Sequence, residues 1–99
     1  MFQGKVVLIT GGTGSLGQAL TRRLLKNGVK TIRIFSRNEN KQIEMESEFH
    51  DDRLRFLLGD IRDKERLVRA TEGVDIVFHA AALTHAPKIE YNLFESIKT

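Results

Sequence analysis

The feature that most constrains this chain is a glycine-rich segment that separates a strand pattern from a helix pattern. Residues 6–9 form a short, β-branched apolar run, which is typical of a strand buried on both faces. Gly12, Gly14 and Gly17 follow it at the spacing Gly-x-Gly-x-x-Gly. Beyond them, apolar residues recur every three or four positions, as on one face of a helix. In this strand–turn–helix context the glycines predict a specialised turn.

Strand and helix patterns alternate along the rest of the chain. Further strands are predicted at residues 31–35, 54–58 and 74–79. Asn38 is placed to cap a helix over residues 39–49, and Asp63 to cap a shorter helix that Gly73 ends. The residues that follow Pro87 are predicted to form one more helix.

Two of the helices have a predicted core face. In the first, this face consists of Leu16, Ala19, Leu20, Leu24 and Leu25. Gly28 suits the left-handed position behind its last turn. In the second helix, Ile43 and Phe49 are the predicted core contacts.

The order of the elements predicts the fold class. Strands that alternate with helices favour a parallel sheet with right-handed crossovers. We therefore expect an α/β fold, a Rossmann-type doubly wound parallel sheet truncated to about four strands. Residues 94–99 continue a helical pattern without a cap, so we interpret the chain as ending inside a helix.

The glycine loop predicts a binding site for the pyrophosphate of a dinucleotide. In such loops one glycine permits the turn, another admits the pyrophosphate and the last allows close helix–strand packing. The pyrophosphate lies at the positive N-terminus of the helix, where hydroxyl groups add hydrogen-bond donors. The candidate contacts here are Gly11, Thr13, Gly14, Ser15, Leu16 and Gly17. A P-loop is disfavoured, because no Gly-Lys-Ser/Thr follows.

The end of the second predicted strand favours NADP over NAD. NAD sites usually place an acid there for the ribose hydroxyls, whereas an arginine accommodates the 2′-phosphate of NADP. This chain has Ser36 and Arg37, with Asn38 next and Lys41 one helical turn further on. Arg37 can grip a phosphate bidentately. The alternative is that Arg37 and Lys41 are solvated residues at a helix start, and NAD stays possible.

The ends of the third and fourth predicted strands add candidate contacts. Asp60 can accept the amino hydrogens of adenine and Ile61 can pack on its ring, although Asp60 is equally suited to a turn. Ala80 and Ala81 belong to a run of small residues that lets a cofactor approach the sheet. Together these residues predict that 1–99 is the N-terminal part of an NAD(P)-binding Rossmann domain, without its later strands and substrate domain.

Several motifs resemble those of the extended short-chain dehydrogenase/reductase superfamily. They are residues 10–17, 59–63 and 79–82. A narrower resemblance, to the polysaccharide-biosynthesis group of nucleotide-sugar dehydratases, notably UDP-N-acetylglucosamine 4,6-dehydratases, rests on residues 35–42, 48–49, 81–87, 90–92 and 97–99. The resemblance covers nearly the whole chain. It implies cofactor contacts at residues 13–16, 36–41, 60–61 and 80.

The same resemblance implies a reaction and two residues on the substrate side. In that group a hydride passes from C4 of the sugar to the cofactor, water leaves across C5–C6, and the hydride returns to C6. Members commonly carry lysine where this chain has Thr84, which leaves the sugar open. His85 is a second candidate near the substrate, although a loop histidine is more often structural.

The catalytic pair that the resemblance implies is absent from these 99 residues. The group's base is the tyrosine of a Tyr-x-x-x-Lys pair. The sole tyrosine here is Tyr91, and Glu95 stands four positions later. We therefore expect no catalytic residue in this chain and no turnover by it alone.

Composition excludes other classes of protein. The absence of cysteine rules out disulfides and thiolate metal sites, and the three histidines lack the spacing of metal ligands. The net charge of +3 comes from interspersed charges, so we expect no nucleic-acid binding. No apolar run reaches the ~20 residues that span a bilayer. We expect no membrane association, a cytoplasmic location and, from the resemblance, a homo-oligomer.

Three hypotheses for function follow. The first is the NADP-binding portion of a nucleotide-sugar 4,6-dehydratase that acts in bacterial polysaccharide or glycan biosynthesis. The second is an epimerase or reductase of the same superfamily, which Thr84 keeps open. The third is a non-catalytic dinucleotide sensor or interaction module. A Tyr-x-x-x-Lys pair further along the protein separates the enzymes from the sensor.

Overall fold

The computed structural model describes residues 1–80 as alternating strands and helices. The elements are β1 (Val6–Thr10), α1 (Ser15–Lys26), β2 (Thr31–Ser36), α2 (Glu39–Phe49), β3 (Leu54–Leu58), α3 (Lys64–Ala70) and β4 (Ile76–His79). The predicted alternation is confirmed. The predicted helix after Pro87 lies outside the described residues.

The four strands form one parallel sheet in the order β3-β2-β1-β4. In its register Ile9 of β1 pairs with Ile34 of β2 and with Phe78 of β4. The chain winds outward from β1 to β3 and then returns to the other side of β1. Because all strands run the same way, their carboxyl ends share one edge, and the order reverses beside β1. In open α/β sheets ligands bind at this switch point.

Helices cover both faces of the sheet, as the predicted doubly wound fold requires. Val7 and Ile9 contribute to one buried cluster, together with Leu24 of α1 and Met45 of α2. Leu8, which points to the opposite face, joins a second cluster with Phe35 and Ala70. The three β1 side chains are fully buried. Each such burial stabilises the fold by ~1.5–3 kcal/mol, so β1 anchors the sheet from both sides.

The predicted N-caps of α2 and α3 and the glycine behind α1 are confirmed, whereas α3 ends at Ala70, with Thr71 as its C-cap, before the predicted Gly73. The Asn38 side chain accepts a hydrogen bond from the Lys41 amide at 3.0 Å, and Asp63 accepts one from the Arg66 amide at 3.3 Å. Gly28 has φ +74°, the left-handed conformation that glycine adopts readily behind a helix. The two N-caps mark where α2 and α3 begin, and Gly28 marks where the chain leaves α1.

The predicted core faces of α1 and α2 are partly wrong. Ile43 is 58% exposed, whereas Met45 is buried and Phe49 packs against the core. Ala19 is exposed, and Thr21 takes a buried place on α1. The Thr21 hydroxyl can enter the core because it donates to the Gly17 carbonyl at 2.8 Å.

The fourth strand begins two residues later than predicted. Val74 still belongs to the turn after α3, because its amide donates to the Thr71 carbonyl at 3.0 Å. Asp75 joins the turn to the sheet: its carboxylate accepts from the Val6 amide at 2.8 Å, and its own amide donates to the Val6 carbonyl.

Candidate dinucleotide-binding site

A cleft of about 570 Å³ opens at the carboxyl edge of the sheet. It is lined by Gly11, Thr13, Gly14, Leu16, Gly17, Phe35, Ser36, Arg37, Asn38, Lys41, Gly59, Asp60, Ile61, Arg62 and Ala80. Most of the predicted contacts therefore meet in one place. Ser15 lines a neighbouring groove instead. Ala81, Thr84 and His85 lie outside the described residues.

The glycines of the loop serve different steric purposes. Gly11 has φ +68° and donates to the Phe35 carbonyl at 2.8 Å, so it makes the turn between β1 and α1. A Cβ on Gly17 would lie 2.5 Å from the Cα and carbonyl oxygen of Gly12. The close approach of α1 to the loop therefore requires glycine at this position. A Cβ on Gly14 would meet only the Gly11 oxygen, at 3.6 Å. The surrounding protein therefore leaves space for a methyl group at position 14, beside the cleft.

The N-terminus of α1 carries no counter-charge of its own. Gly14 occupies the N-cap position without a side-chain hydrogen bond, and the first turn contains no acidic residue. The loop is held instead by Gln18, whose side-chain amide donates to the Thr13 carbonyl at 2.9 Å. A helix start with unneutralised N–H groups attracts anions, which suits the pyrophosphate predicted from the sequence.

At the end of β2 a fixed polar residue is followed by an exposed cation. Ser36 is buried, and its hydroxyl accepts from the Gln42 side chain at 2.9 Å. Gln42 also donates to the Leu57 carbonyl at 3.0 Å, which ties α2 to β3. Arg37 comes next and its side chain is 73% exposed. Hydrogen bonds thus hold the strand end, while the Arg37 guanidinium stays accessible from the cleft.

At the end of β3 the Asp60 carboxylate lies between two arginines. Its oxygens accept from the Arg62 Nη2 at 2.8 Å, the Arg62 Nε at 3.2 Å and the Arg62 amide at 2.9 Å. The Arg37 Nη1 is 3.6 Å from the same carboxylate. The hydrogen bonds from Arg62 lower the pKa of Asp60 to about 2, so the group is ionised at neutral pH. Asp60 is also a turn residue, because its carbonyl accepts from the Asp63 amide at 2.9 Å.

The ionic balance of the cleft is positive. Within residues 1–80 the cleft is lined by three cations, Arg37, Lys41 and Arg62, and by one acid, Asp60. The side chain of Ile61 is exposed beside them. A phosphorylated ligand with an apolar ring matches this combination of groups.

Sequence reasoning missed three lining residues. Phe35 and Gly59 form a pair: a Cβ on Gly59 would lie 2.5 Å from the Phe35 ring, so the ring sits directly under the turn after β3. The sequence did contain a signal for Gly59, because it directly follows a predicted strand, as the first loop glycines do. Arg62 also lies in the motif of residues 59–63, but its role was not readable there, since only the structure shows which carboxylate it binds.

Other kinds of site are not found in the part of the chain that the structure describes. Within residues 1–80 no three His, Cys, Asp or Glu side chains lie close enough together to hold a metal ion. None of the helices there is long and apolar enough to cross a membrane.

Comparison with known proteins identifies the family. The profile of a family described as "Polysaccharide biosynthesis protein" matches residues 7–99. The chain belongs to this family. Membership bears out the resemblance drawn from the motifs around Arg37 and Ala80, because the matched segment includes both.

Relatives of the chain include nucleotide-sugar enzymes. A UDP-N-acetylglucosamine 4,6-dehydratase (inverting) from Campylobacter jejuni is 54% identical over all of this chain and 30% of its own length. A UDP-glucose 4-epimerase from Rickettsia conorii is 47% identical over the same shares. An "uncharacterized membrane protein" from Methanocaldococcus jannaschii is 51% identical over 99% of this chain and 29% of its own length. The chain thus spans about three tenths of the length of the curated relatives it matches.

Solved structures agree with the fold. Pen from Bacillus thuringiensis superposes with a TM-score of 0.81 at 44% identity, over 97% of this chain and 30% of that one. WbmF from Bordetella bronchiseptica, solved with NAD+, has a TM-score of 0.62 at 24% identity over 79% and 23%. L-sorbose reductase from Gluconobacter frateurii, solved with NADPH, has a TM-score of 0.63 at 24% identity over 77% and 32%. At this lower identity the last two support the Rossmann-type fold alone.

Proposed function

We propose that residues 1–99 form the N-terminal, NADP-binding part of a nucleotide-sugar 4,6-dehydratase of the UDP-N-acetylglucosamine type. One observation carries the proposal: the glycine loop, Arg37 at the end of β2 and Lys41 in α2 line the same cleft. The dehydratase relative, 54% identical, supports the parent activity, which would be that of a lyase. WbmF and sorbose reductase, whose structures hold NAD+ and NADPH, share the fold that the proposal uses.

The residues of the cleft fit a dinucleotide. Its volume of about 570 Å³ lies within the range of small-molecule sites. The space beside Gly14 would be filled by a Cβ, and the α1 N-terminus lies next to it, so the pyrophosphate would bind there. Asp60 and Ile61 would hold the adenine at the end of β3. Ala80, which is buried and small, would let the cofactor pass along the sheet.

The cations favour NADP over NAD. Arg37 occupies the position where an acid would bind the ribose hydroxyls of NAD. Its guanidinium is exposed to the cleft, and Lys41 lies one turn into α2. Both charges are available to a 2′-phosphate, which carries between one and two negative charges near neutral pH.

In the proposed reaction this chain binds and orients the cofactor. The bound nicotinamide supplies the hydride acceptor and donor that a 4,6-dehydration needs. The glycine loop, Arg37 and Lys41 would fix the other end of the dinucleotide and so set its position along the sheet. The base would come from elsewhere in the protein, because Tyr91 is followed four positions later by Glu95 rather than lysine.

The decisive test is Arg37→Asp in the full-length protein, with NADP+ and NAD+ titrated separately by calorimetry. We expect NADP+ affinity to fall at least about tenfold, because a charge-assisted contact is replaced by repulsion. NAD+ affinity should hold or rise, because the new acid stands where NAD sites bind the ribose hydroxyls. Arg23→Asp is the matched control, since this exposed residue of α1 does not line the cleft. Undiminished NADP+ affinity in Arg37→Asp would refute the assignment.

The epimerase relative supports a second candidate function. The two reactions differ in mass balance: a dehydratase removes one water from UDP-N-acetylglucosamine, whereas an epimerase returns an isomer of equal mass. Mass spectrometry of the sugar nucleotide after incubation with the full-length protein separates them. A dinucleotide sensor would change neither the mass nor the configuration of the sugar.

The proposal extends to location and assembly. We propose a cytoplasmic homo-oligomer, on the resemblance to the dehydratase group. Cell fractionation tests the location, and the relative named a membrane protein makes that experiment informative. Light scattering of the full-length protein tests the assembly.

A further inference from the structure

Arg62 is a lining residue of the cleft to which the proposed function gives no task. Its guanidinium and its amide both bind Asp60, two positions earlier in the same turn. Its side chain is nevertheless 80% exposed, so Arg62 does not serve the packing of a buried core. The neighbouring Arg66 does brace the fold, by donating to the Leu58 carbonyl at 2.6 Å.

Two arginines compete for one carboxylate, and Arg62 holds it more closely. Its Nη2 lies 2.8 Å from the Asp60 Oδ2, and its Nε is shared between the two oxygens at 3.2 Å. The Arg37 Nη1 approaches the same Oδ2 only to 3.6 Å, beyond the length of a good charged hydrogen bond. The local turn keeps Arg62 in place, whereas Arg37 reaches across from the next strand.

The closer contact of Arg62 with Asp60 affects how Arg37 can bind the 2′-phosphate of NADP. An unpartnered Asp60 carboxylate would hold Arg37 and would repel a phosphate bound beside it. With Arg62 occupying Asp60, the guanidinium of Arg37 can turn to a phosphate without leaving a bare anion in the cleft. A phosphate also offers Arg37 a bidentate contact, which the carboxylate at 3.6 Å does not.

We infer that Arg62 is a positioning residue for cofactor preference: by engaging Asp60 it frees Arg37 for the 2′-phosphate of NADP. The inference rests on the proposed function, because it presupposes that Arg37 meets this phosphate. Arg62 itself does not touch the ligand in this scheme. Its influence passes through Asp60, and this path makes it separable from a direct contact.

The test is a double-mutant cycle in the full-length protein, with NADP+ and NAD+ affinities measured by calorimetry. Arg62→Ala should weaken NADP+ about fivefold, a size that suits an exposed ion pair, and NAD+ less than about twofold. In the Asp60→Asn background the same substitution should change NADP+ affinity by less than about twofold, because no carboxylate remains to hold Arg37. Arg62→Lys keeps the positive charge but lacks the planar guanidinium that binds a carboxylate through two nitrogens. It should therefore restore, relative to Arg62→Ala, part of the preference for NADP+.

Arg69→Ala serves as the control, since it removes an equal charge from an exposed site on α3 that does not line the cleft. It should leave the NADP+ to NAD+ ratio unchanged. Circular dichroism melting checks that each variant is folded.

Each contrary result has a distinct meaning. An equal loss of NADP+ affinity from Arg62→Ala in both backgrounds would overturn the inference in favour of direct phosphate contact by Arg62. An unaltered ratio in Arg62→Ala would overturn it while the wild-type preference for NADP+ upholds the proposed function. A wild-type protein without that preference would overturn both.

Discussion

At the scale of single residues, the glycine loop separates packing from ligand access. Gly17→Ala would place a Cβ 2.5 Å from the Gly12 backbone, which cannot yield as a side chain would. Because the Gly12 backbone cannot move aside, the overpacking penalty should lie toward the upper end of ~1–3 kcal/mol, above the gain of ~1 kcal/mol in helix propensity. We expect a net loss of about 1–2 kcal/mol in the free energy of unfolding, measured by urea denaturation.

Gly14→Ala is the matched comparison in the same loop. Its Cβ would lie 3.6 Å from the Gly11 oxygen, and the φ of −78° suits alanine. Stability should stay within about 0.5 kcal/mol, while NADP+ affinity should fall at least about tenfold because the methyl group fills the pyrophosphate position. A stable Gly17→Ala variant, or full affinity in Gly14→Ala, would contradict this division of roles.

Residue identity alone identified much of the cleft but not its ionic arrangement. The glycines, Arg37 and Asp60 follow strand ends in the sequence, and parallel strands bring such ends to one edge. The sequence cannot tell which cation Asp60 binds, because Arg37 and Arg62 are both near enough to compete. Side-chain geometry decides that question, because the Arg62 Nη2 lies 2.8 Å from the Asp60 Oδ2 and the Arg37 Nη1 lies 3.6 Å from it.

At the scale of elements, α2 shows how a helix face can be misjudged. Its apolar residues Ile43 and Met45 are two positions apart and therefore point in different directions. The inward-facing stripe consists of the buried Gln42 and Met45 and the partly buried Phe49, at the helical spacing i, i+3 and i+7. A polar residue begins this stripe because Gln42 finds partners in Ser36 and the Leu57 carbonyl. Apolar pattern alone does not anticipate a satisfied buried amide.

The orientation of α2 predicts opposite costs for two similar truncations. Met45→Ala empties a fully packed position and should lower the free energy of unfolding by ~2–5 kcal/mol. Ile43→Ala removes a side chain that is 58% exposed and should cost less than about 0.5 kcal/mol. Urea denaturation of both variants checks this. Equal costs would show that α2 is rotated from the position described here.

The connection between α2 and β3 contains an ion pair whose stabilisation depends on pH. The Arg53 Nη2 lies 2.8 Å from the Asp51 Oδ2. The Arg53 Nη1 also donates to the Leu25 carbonyl at 3.2 Å, which ties the connection to α1. The hydrogen bonds from Arg53 lower the pKa of Asp51 below its ordinary value of 3.8. Its stabilising effect is therefore complete above the ordinary pKa and is lost as pH falls through the lower, folded-state pKa.

Asp51→Asn should accordingly destabilise the protein by about 0.5–1 kcal/mol at pH 7, a modest size because both side chains are partly exposed. The difference from the wild type should be constant above pH ~5 and should shrink below pH ~4. Asp52→Asn, which removes the adjacent exposed carboxyl, is the control. A difference that grows on acidification would contradict the assigned direction of the shift.

At the scale of the whole molecule, the order of elements predicted the sheet better than it predicted the side chains. Alternating patterns and short connections leave few arrangements for four parallel strands. The buried run in β1 requires neighbours on both edges and cover on both faces, and the order β3-β2-β1-β4 provides them. The return of the chain from β3 to β4 then creates the switch point at which the cleft opens.

This arrangement predicts how a bound dinucleotide alters hydrogen exchange in the full-length protein. The amides of β1 lie between β2 and β4 and beneath fully buried side chains, so they should be the slowest to exchange with or without ligand. Saturating NADP+ should slow exchange in residues 11–17 and 36–41, which contribute to the cleft.

Helix α3 provides the internal control in the same experiment. None of its residues lines the cleft, and it packs on the opposite face of the sheet through Ala70. Its local change should follow only the global stabilisation, which is ~2.7 kcal/mol when the free ligand is at 100 times its dissociation constant. Slowing beyond this global amount only in the loop and at the β2 end locates the ligand at the switch point. Slowing confined to α3 would place it on the other face and refute the site.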